Sequence, residues 1–373
     1  MDKMKTIVFY LFLGLVAVFS GFGWKYGNET AINLILVAPF FLFFLDLIDK
    51  RKIFIPKKIT FLFLVFLILI SVSNFFSIDF KLSFGIGIFC FSLFLFFIYA
   101  HNHAQELKKS LPVFINLLSI VLIITSLVIE YVPKNSFFYP FDDKNLIFPS
   151  HDPHNHLGDF LAMSVVFNFY FLAEAFSWTR LIVILFFIPF LLFSHSRSAY
   201  TSLIIPSTYL IWRFLRKNKQ DKVKKYNRLT LISVFIFIFA ATIVFFVTQP
   251  RSLINGREYY FNYALKGFKN KPLTGYGLGN FFSMVKEIKD KNTPNVQSSH
   301  NIFLDVFVGS GFFSGTIFVI LILSIFIYGQ KNAYWFAFFS MLINFQTDYT
   351  YKIAFLLLFL FLTAGMIWEE HNV

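Results

Sequence analysis

Apolar stretches recur along this chain at intervals too short for a soluble core to absorb them. Residues 5–23, 30–48, 59–76, 83–100 and 111–131 are separated only by brief polar breaks. Each is about as long as a helix needs to cross ~30 Å of hydrocarbon. The same pattern returns at 156–176, 180–195, 198–212, 229–248, 301–327, 332–346 and 353–369, giving about twelve spans. With 57% of residues hydrophobic and 14% charged, at a mean hydropathy of +0.67, the solvent is lipid, and a soluble enzyme or a disordered tail is excluded. Phe, 58 times present, takes much of the lipid-facing role usually given to Leu. The expected fold is an all-α integral membrane protein, one polytopic domain over residues 1–373. Met1 to Ser20, with Lys3 and Lys5 before an apolar run and no small-residue cleavage site, reads as a retained first helix.

The formal net charge of +13 is explained by topology. Lys3, Lys5, Lys50, Arg51, Lys52, Lys57, Lys58, Lys108, Lys109, the run from Arg213 to Arg228, Arg180 and Lys331 fall on one face, while the short loops of the other hold Lys25, Lys81, Lys134, Lys144, Arg197 and Lys352. The positive-inside rule then puts both termini in the cytoplasm, and nucleic-acid binding is not expected. Cys90 is the lone cysteine, so an intrachain disulfide and a Cys-based metal site are impossible.

Two long loops face outward, 132–155 and 249–299, and loops of that length are uncommon without a task. The second carries Pro250, Pro272 and Pro294 and the cluster Gly275, Gly277 and Gly279 between helix-compatible stretches at 257–268 and 280–291, so it should form a cap of short helices. From Leu181 to Trp212 there are only enough residues for two passes of roughly 24 Å. The turn SHSRSAY at 194–200 should therefore lie below the outer surface, with Arg197 in a cavity, where a guanidinium is costly without an anion; it either meets an anionic ligand or is a structural residue paired with a carbonyl or with Asp159.

Unusual polar residues gather on this face: His151, Asp152, His154 and His156, then Arg197, Arg251, Arg257, the run GYGLGNF at 275–281, His300 and Asn301. His300 is placed at the opening of the tenth span. On a continuous helix, Leu304, Gly311 and Gly315 would extend its stripe and let a neighbouring helix approach. Two readings stand side by side: His300 as general base or hydrogen-bond donor, or His300 and Asn301 as a helix cap. The His151/Asp152/His154/His156 group has zinc-ligand chemistry but reads as an entry loop to an N-cap at Asn155, so no metal is expected. The glycines follow no strand and are not a dinucleotide fingerprint; they permit a tight turn under a ligand. Arginines and a histidine, with no evident carboxylate pair, argue against glycoside hydrolysis by two acids and for a dianionic or diphosphate ligand. A transporter or flippase of lipid-linked oligosaccharide is the rival reading, but Asp46, Glu174 and Asp305 all lie near span ends rather than at the midplane.

These residues resemble the O-antigen ligase and O-antigen polymerase superfamily of bacterial membrane glycosyltransferases. HNIFLDVFVGSGFFSG at 300–315 is similar to its His-Asn, nine residues, Gly motif. NGREYYFNYALKGFKNKPLTGYGLGNF at 255–281 resembles its Arg, aromatic, Ala-Leu, Pro, Gly-x-Gly-x-Gly-x-Phe pattern. SHSRSAY matches its Ser-Arg turn, and PHNHLGDFLA its Asn-Leu-Gly entry to a span, with His156 inserted. The likeness covers roughly residues 150–327.

The resemblance implies transfer of a finished glycan from undecaprenyl diphosphate to a sugar hydroxyl of lipid A-core at the periplasmic face of a bacterial inner membrane, without cofactor. Arg197 and Arg257 would bind the diphosphate and His300 would activate or orient the acceptor. Arg251, Asn301, His154, Gly275, Gly277 and Tyr260 would complete substrate binding. A polymerase joining lipid-linked repeat units and a protein O-oligosaccharyltransferase are the alternatives within the family. The ligase is preferred for its motif spacing and its single dominant outer loop.

Overall fold

A computed structural model of the chain describes residues 3–21, 27–130, 155–194, 196–217, 232–240, 242–244, 257–289 and 296–368. Its helices are α1 (Lys3–Gly21), α2 (Gly27–Ile48), α3 (Lys57–Asn74), α4 (Phe80–Asn102), α5 (Ala104–Glu130), α6 (Asn155–Glu174), α7 (Trp178–Phe193), α8 (Arg197–Lys217), α9 (232–240), α10 (Arg257–Asn270), α11 (Phe281–Ile288), α12 (Ile302–Tyr328), α13 (Ala333–Asn344) and α14 (Ala354–Ile367), with a 3-10 turn at Tyr349–Lys352. No strand occurs among the described residues. Each expected span overlaps a helix, that at 229–248 being described only over 232–240 and 242–244, and among the described residues six helices are long and apolar enough on their own to cross a membrane. The helices α10 and α11 occupy the two helix-compatible stretches of the long loop.

One helix is longer than the apolar pattern suggests. The eighth span was expected to end at 212, but α8 continues to Lys217 and has 21 residues, roughly 32 Å. The backbone stays helical after the side chains turn polar, since Arg and Lys are good helix formers. Of these two passes only α7, with 16 residues, is short, at roughly 24 Å. The turn joining the two remains enclosed: Ser194, Ser196 and Ser198 are buried.

α6 is the axis of the bundle, with 83% of its apolar window buried against 28% for α2. It packs on α5, α7, α8 and α13. Lipid is as apolar as the helix surfaces, so close packing and polar contacts hold the helices together. Ser119 and Ser164 hydroxyls lie 3.0 Å apart, and the Asn168 amide donates to Asn116 at 2.7 Å, joining α5 to α6. At the expected cytoplasmic end, Asp46 accepts from Lys5 at 3.0 Å and pairs with His103 at 2.8 Å, which fastens α1 and α2 to the α4–α5 junction. Phe supplies much of the rest, as where the rings of Phe63 and Phe94 stack at 4.4 Å.

α12 is not the continuous helix assumed for the His300 stripe. Gly311 has φ 80° and ψ 179°, which breaks it, and the element filling the gap is the glycine turn rather than another helix. Tyr276 N–H donates to the Val308 carbonyl at 3.0 Å, Gly277 N–H to Gly309 at 2.7 Å, and Phe312 N–H to Pro272 at 2.7 Å. The Ser73 hydroxyl reaches the Thr274 and Gly309 carbonyls at 2.5 and 3.1 Å. Backbone groups freed inside a membrane helix must find partners within the protein, and here the Val308 and Gly309 carbonyls and the Phe312 N–H meet polar groups of the turn or of α3.

A side chain at position 311 would be strained by the positive φ and would meet the Leu273 carbonyl and Thr274 N, the latter at 3.0 Å. Gly85, by contrast, has nothing within 4 Å of a built Cβ. Gly311→Ala should therefore cost about 2 kcal/mol or more, seen as a lower thermal midpoint of the detergent-solubilised protein, while Gly85→Ala should stay within about 0.5 kcal/mol of the parent. Equal midpoints for the two variants would show that the break is not a packing requirement.

Candidate active site

The polar residues of the outer face meet where α6, α8, α10, the segment before α12 and the 3-10 turn come together. Asn301, not His300, is the N-cap of α12: its Oδ1 accepts from Leu304 N–H at 3.1 Å, and its Nδ2 donates to the Gln346 carbonyl at 3.3 Å. This frees His300 from capping and leaves it in the preceding turn with φ 57°, a conformation uncommon for a residue bearing a side chain. Such strain persists only where neighbours hold it. Ser298 Oγ accepts from His300 N–H at 3.3 Å, and Ser299 is fixed by Asp305, whose Oδ1 accepts from its N–H and hydroxyl at 2.8 and 2.6 Å.

The His300 ring is gripped on two sides. Tyr260 of α10 stacks on it at 4.5 Å and 13°, and Tyr349 meets it edge-on at 4.9 Å. Tyr349 in turn contacts the His156 ring at 5.4 Å. Behind His300 is Asp348, its Oδ1 3.7 Å from Nδ1, at ion-pair range though beyond hydrogen-bond length. Asp348 is fully buried. Its Oδ1 caps the 3-10 turn by accepting from Tyr349 N–H at 2.6 Å, and its Oδ2 accepts from Ser198 at 3.3 Å. Burial pushes this carboxyl up, but adjacent His300, with His156 and the Tyr349 N–H, outweighs burial and holds it below the usual carboxylate range.

Ser198 links Asp348 to a second buried carboxylate. Its hydroxyl lies 3.0 Å from Asp159 Oδ1, which also accepts from Ser196 at 3.0 Å. Asp159 Oδ2 has the Asn344 side chain nearby but no hydrogen bond of good geometry. No carboxylate pair is evident in the sequence; the fold makes one from Asp159 and Asp348. Both are enclosed and engaged by serines, so neither is open to a substrate as a hydrolytic acid pair requires.

Arg197, partly buried at the start of α8, stands between the two serines that hold the pair. α10 begins at Arg257, one turn before Tyr260. The structure thus brings the segments carrying Arg197, Arg257, Tyr260 and His300 to one place. It puts Gly275 and Gly277 elsewhere, in the turn docked on α12: a Cβ at 275 would meet the backbone of Gly309 and Ser310. Arg251, His151, Asp152 and His154 lie outside the described residues, and among the described residues no cluster of three or more potential ligands could hold a metal ion.

A comparison with known families falls on the same segments. Residues 181–319 match the family model described as O-Antigen ligase. The matched region holds Arg197, Arg257, Tyr260, the glycine turn, His300 and Gly311, and it leaves out Asp159 and Asp348. A stretch of 141 residues, 35% of this chain, is 29% identical to the ComP-specific O-oligosaccharyltransferase of Acinetobacter baylyi and spans 25% of that protein. Both likenesses are partial, and both fall on proteins described by glycan ligation or transfer.

Asp348 and Asp159 do not stand out in the sequence as site residues, because Asp348 is a single acid between two spans and Asp159 a single acid in the first turns of another. The available signal was Asp348 within NFQTDYTYK, the single polar break between the last two spans. Because Asp348 ionises more readily folded than unfolded, its stabilising increment is full above the ordinary Asp value of about 3.9 and is lost as pH falls through the depressed one. Asp348→Asn should lower the thermal midpoint at about pH 7, and that deficit should shrink as pH falls below the ordinary Asp range. A deficit that persists undiminished at low pH would mean that Asn disturbs packing rather than charge.

Proposed function

We propose that this protein transfers a glycan from a polyprenyl diphosphate carrier to a hydroxyl acceptor at the outer face of the cytoplasmic membrane, with lipid A-core as the acceptor and thus as an O-antigen ligase. The observation carrying the reading is the convergence at His300: an imidazole held by two tyrosines and backed by a buried carboxylate, with an arginine beside that carboxylate's serines and another opening the helix that supplies Tyr260. The positive-inside pattern supplies the orientation, both termini in the cytoplasm and the α10–α11 cap outside.

In this reading Arg197 and Arg257 bind the donor's diphosphate. The acceptor oxygen gives its proton to His300 Nε2 and bonds to the anomeric carbon, while the bond from that carbon to the phosphate oxygen breaks and its electron pair leaves with the diphosphate. Two guanidiniums facing the leaving group stabilise the charge that develops there, an effect commonly worth several kcal/mol in a water-poor site. Asp348, on the Nδ1 side, faces the positive charge that the imidazole takes on with that proton. Attack opposite the leaving group inverts the anomeric carbon. No metal or cofactor enters these steps.

A protein acceptor is the second reading, favoured by the likeness to the oligosaccharyltransferase. Arg197→Ala and Arg257→Ala should each reduce transfer at least ~100-fold at normal expression, and Arg197→Lys should recover only part, since a point charge lacks the fork. Near-normal transfer by either Ala variant removes the diphosphate assignment. In the source bacterium, deletion should leave long glycans on the carrier lipid and bare lipid A-core. A ladder cut to core plus one repeat identifies a polymerase instead, and an intact ladder with an unglycosylated protein identifies a protein acceptor.

A further inference from the structure

A cavity of about 360 Å³ lies among α3, α4, α12 and α14, and none of Arg197, Tyr260, His300 or Asp348 lines it. Its wall is nearly all hydrocarbon, from Phe63 and Phe66 on α3, Ile86 and Leu93 on α4, Phe318 on α12 and Phe361 on α14. Polar side chains stand at one end only. There the Tyr351 hydroxyl donates to Asp305 Oδ2 at 2.5 Å, and the exposed Lys352 donates to the Gln297 carbonyl at 2.7 Å. Leu82, 44% exposed, stands at the start of α4 near this end, whereas Leu93, 1% exposed, closes the deep end.

The volume is more than twice the ~150 Å³ that accommodates a benzene ring, which leaves room for roughly a dozen carbons. An apolar void of this size is costly to leave empty, and its deep lining offers water no hydrogen-bond partners. From Leu82 to Leu93 along α4 the wall runs roughly 16 Å, about half of a ~30 Å hydrocarbon core. That is the depth of one leaflet. A polyprenyl tail long enough to cross the bilayer would outrun it, while an acyl chain of a leaflet lipid matches it. An ammonium at the polar end suits the phosphate of such a lipid.

We infer that this cavity binds one acyl chain of an anionic phospholipid of the outer leaflet, whose phosphate is held at Lys352. The inference uses the orientation proposed above but not the transfer chemistry, so it stands or falls separately from the glycan reading.

Cys90 lines the cavity and, as the lone cysteine of the chain, reports on its occupancy. In delipidated full-length protein, phosphatidylglycerol in mixed micelles should slow N-ethylmaleimide alkylation of Cys90 at least ~3-fold, and Lys352→Gln should abolish most of that protection. Native mass spectrometry should show one retained phosphatidylglycerol, lost in Leu93→Trp and, independently, in Leu357→Trp, each checked for an unchanged thermal midpoint. The mass measurement keeps the inference refutable even where the thiol reacts slowly. Absence of both protection and retained lipid overturns the site. Equal protection by phosphatidylcholine overturns the role of Lys352, and protection by undecaprenyl phosphate alone overturns the acyl assignment.

Discussion

The buried carboxylate of Asp348 is the contact on which the outer end of the bundle depends. A charge with no exposed surface is tolerated only with hydrogen bonds and a counter-charge, and each partner that Asp348 recruits comes from a different element: Ser198 from α8, Tyr349 N–H from the 3-10 turn and His300 from the segment before α12. Ser198 and Ser196 extend the network to Asp159 on α6. Satisfying one acid thus fixes the relative positions of four chain segments. It also commits the Nδ1 side of His300 inward, toward Asp348.

A second polar lock holds the cap above the site. The break at Gly311 exposes backbone groups that a lipid environment would leave unpaired, and the 272–279 turn meets them with its own N–H and carbonyl groups. The turn is continuous with α10, which delivers Tyr260 onto the His300 ring. The broken helix and the histidine are therefore parts of one construction: the same residues that interrupt α12 place the aromatic wall of the site.

The sequence made the helices legible because apolar runs of span length have few other outcomes in a chain this poor in charge. It also exposed the segments of Arg197, Arg257 and His300, since polar residues stand out against that background. Three features stayed hidden for physical reasons. Asp348 meets Ser198 across 150 positions, a contact no local periodicity encodes. Gly311 reads equally as a close-packing residue and as a residue of positive φ, and only the backbone tells them apart. The end of α8 follows helix propensity past the point where hydropathy changes sign.

In the proposed transfer His300 and Asp348 act as one unit, and a double-mutant cycle on the transfer rate separates this from independent roles. If the carboxylate works through the imidazole, Asp348→Asn and His300→Asn should be strongly non-additive, with the double variant about as slow as His300→Asn alone. Additive losses, with Asp348→Asn costing as much in the absence of His300 as in its presence, would contradict the account.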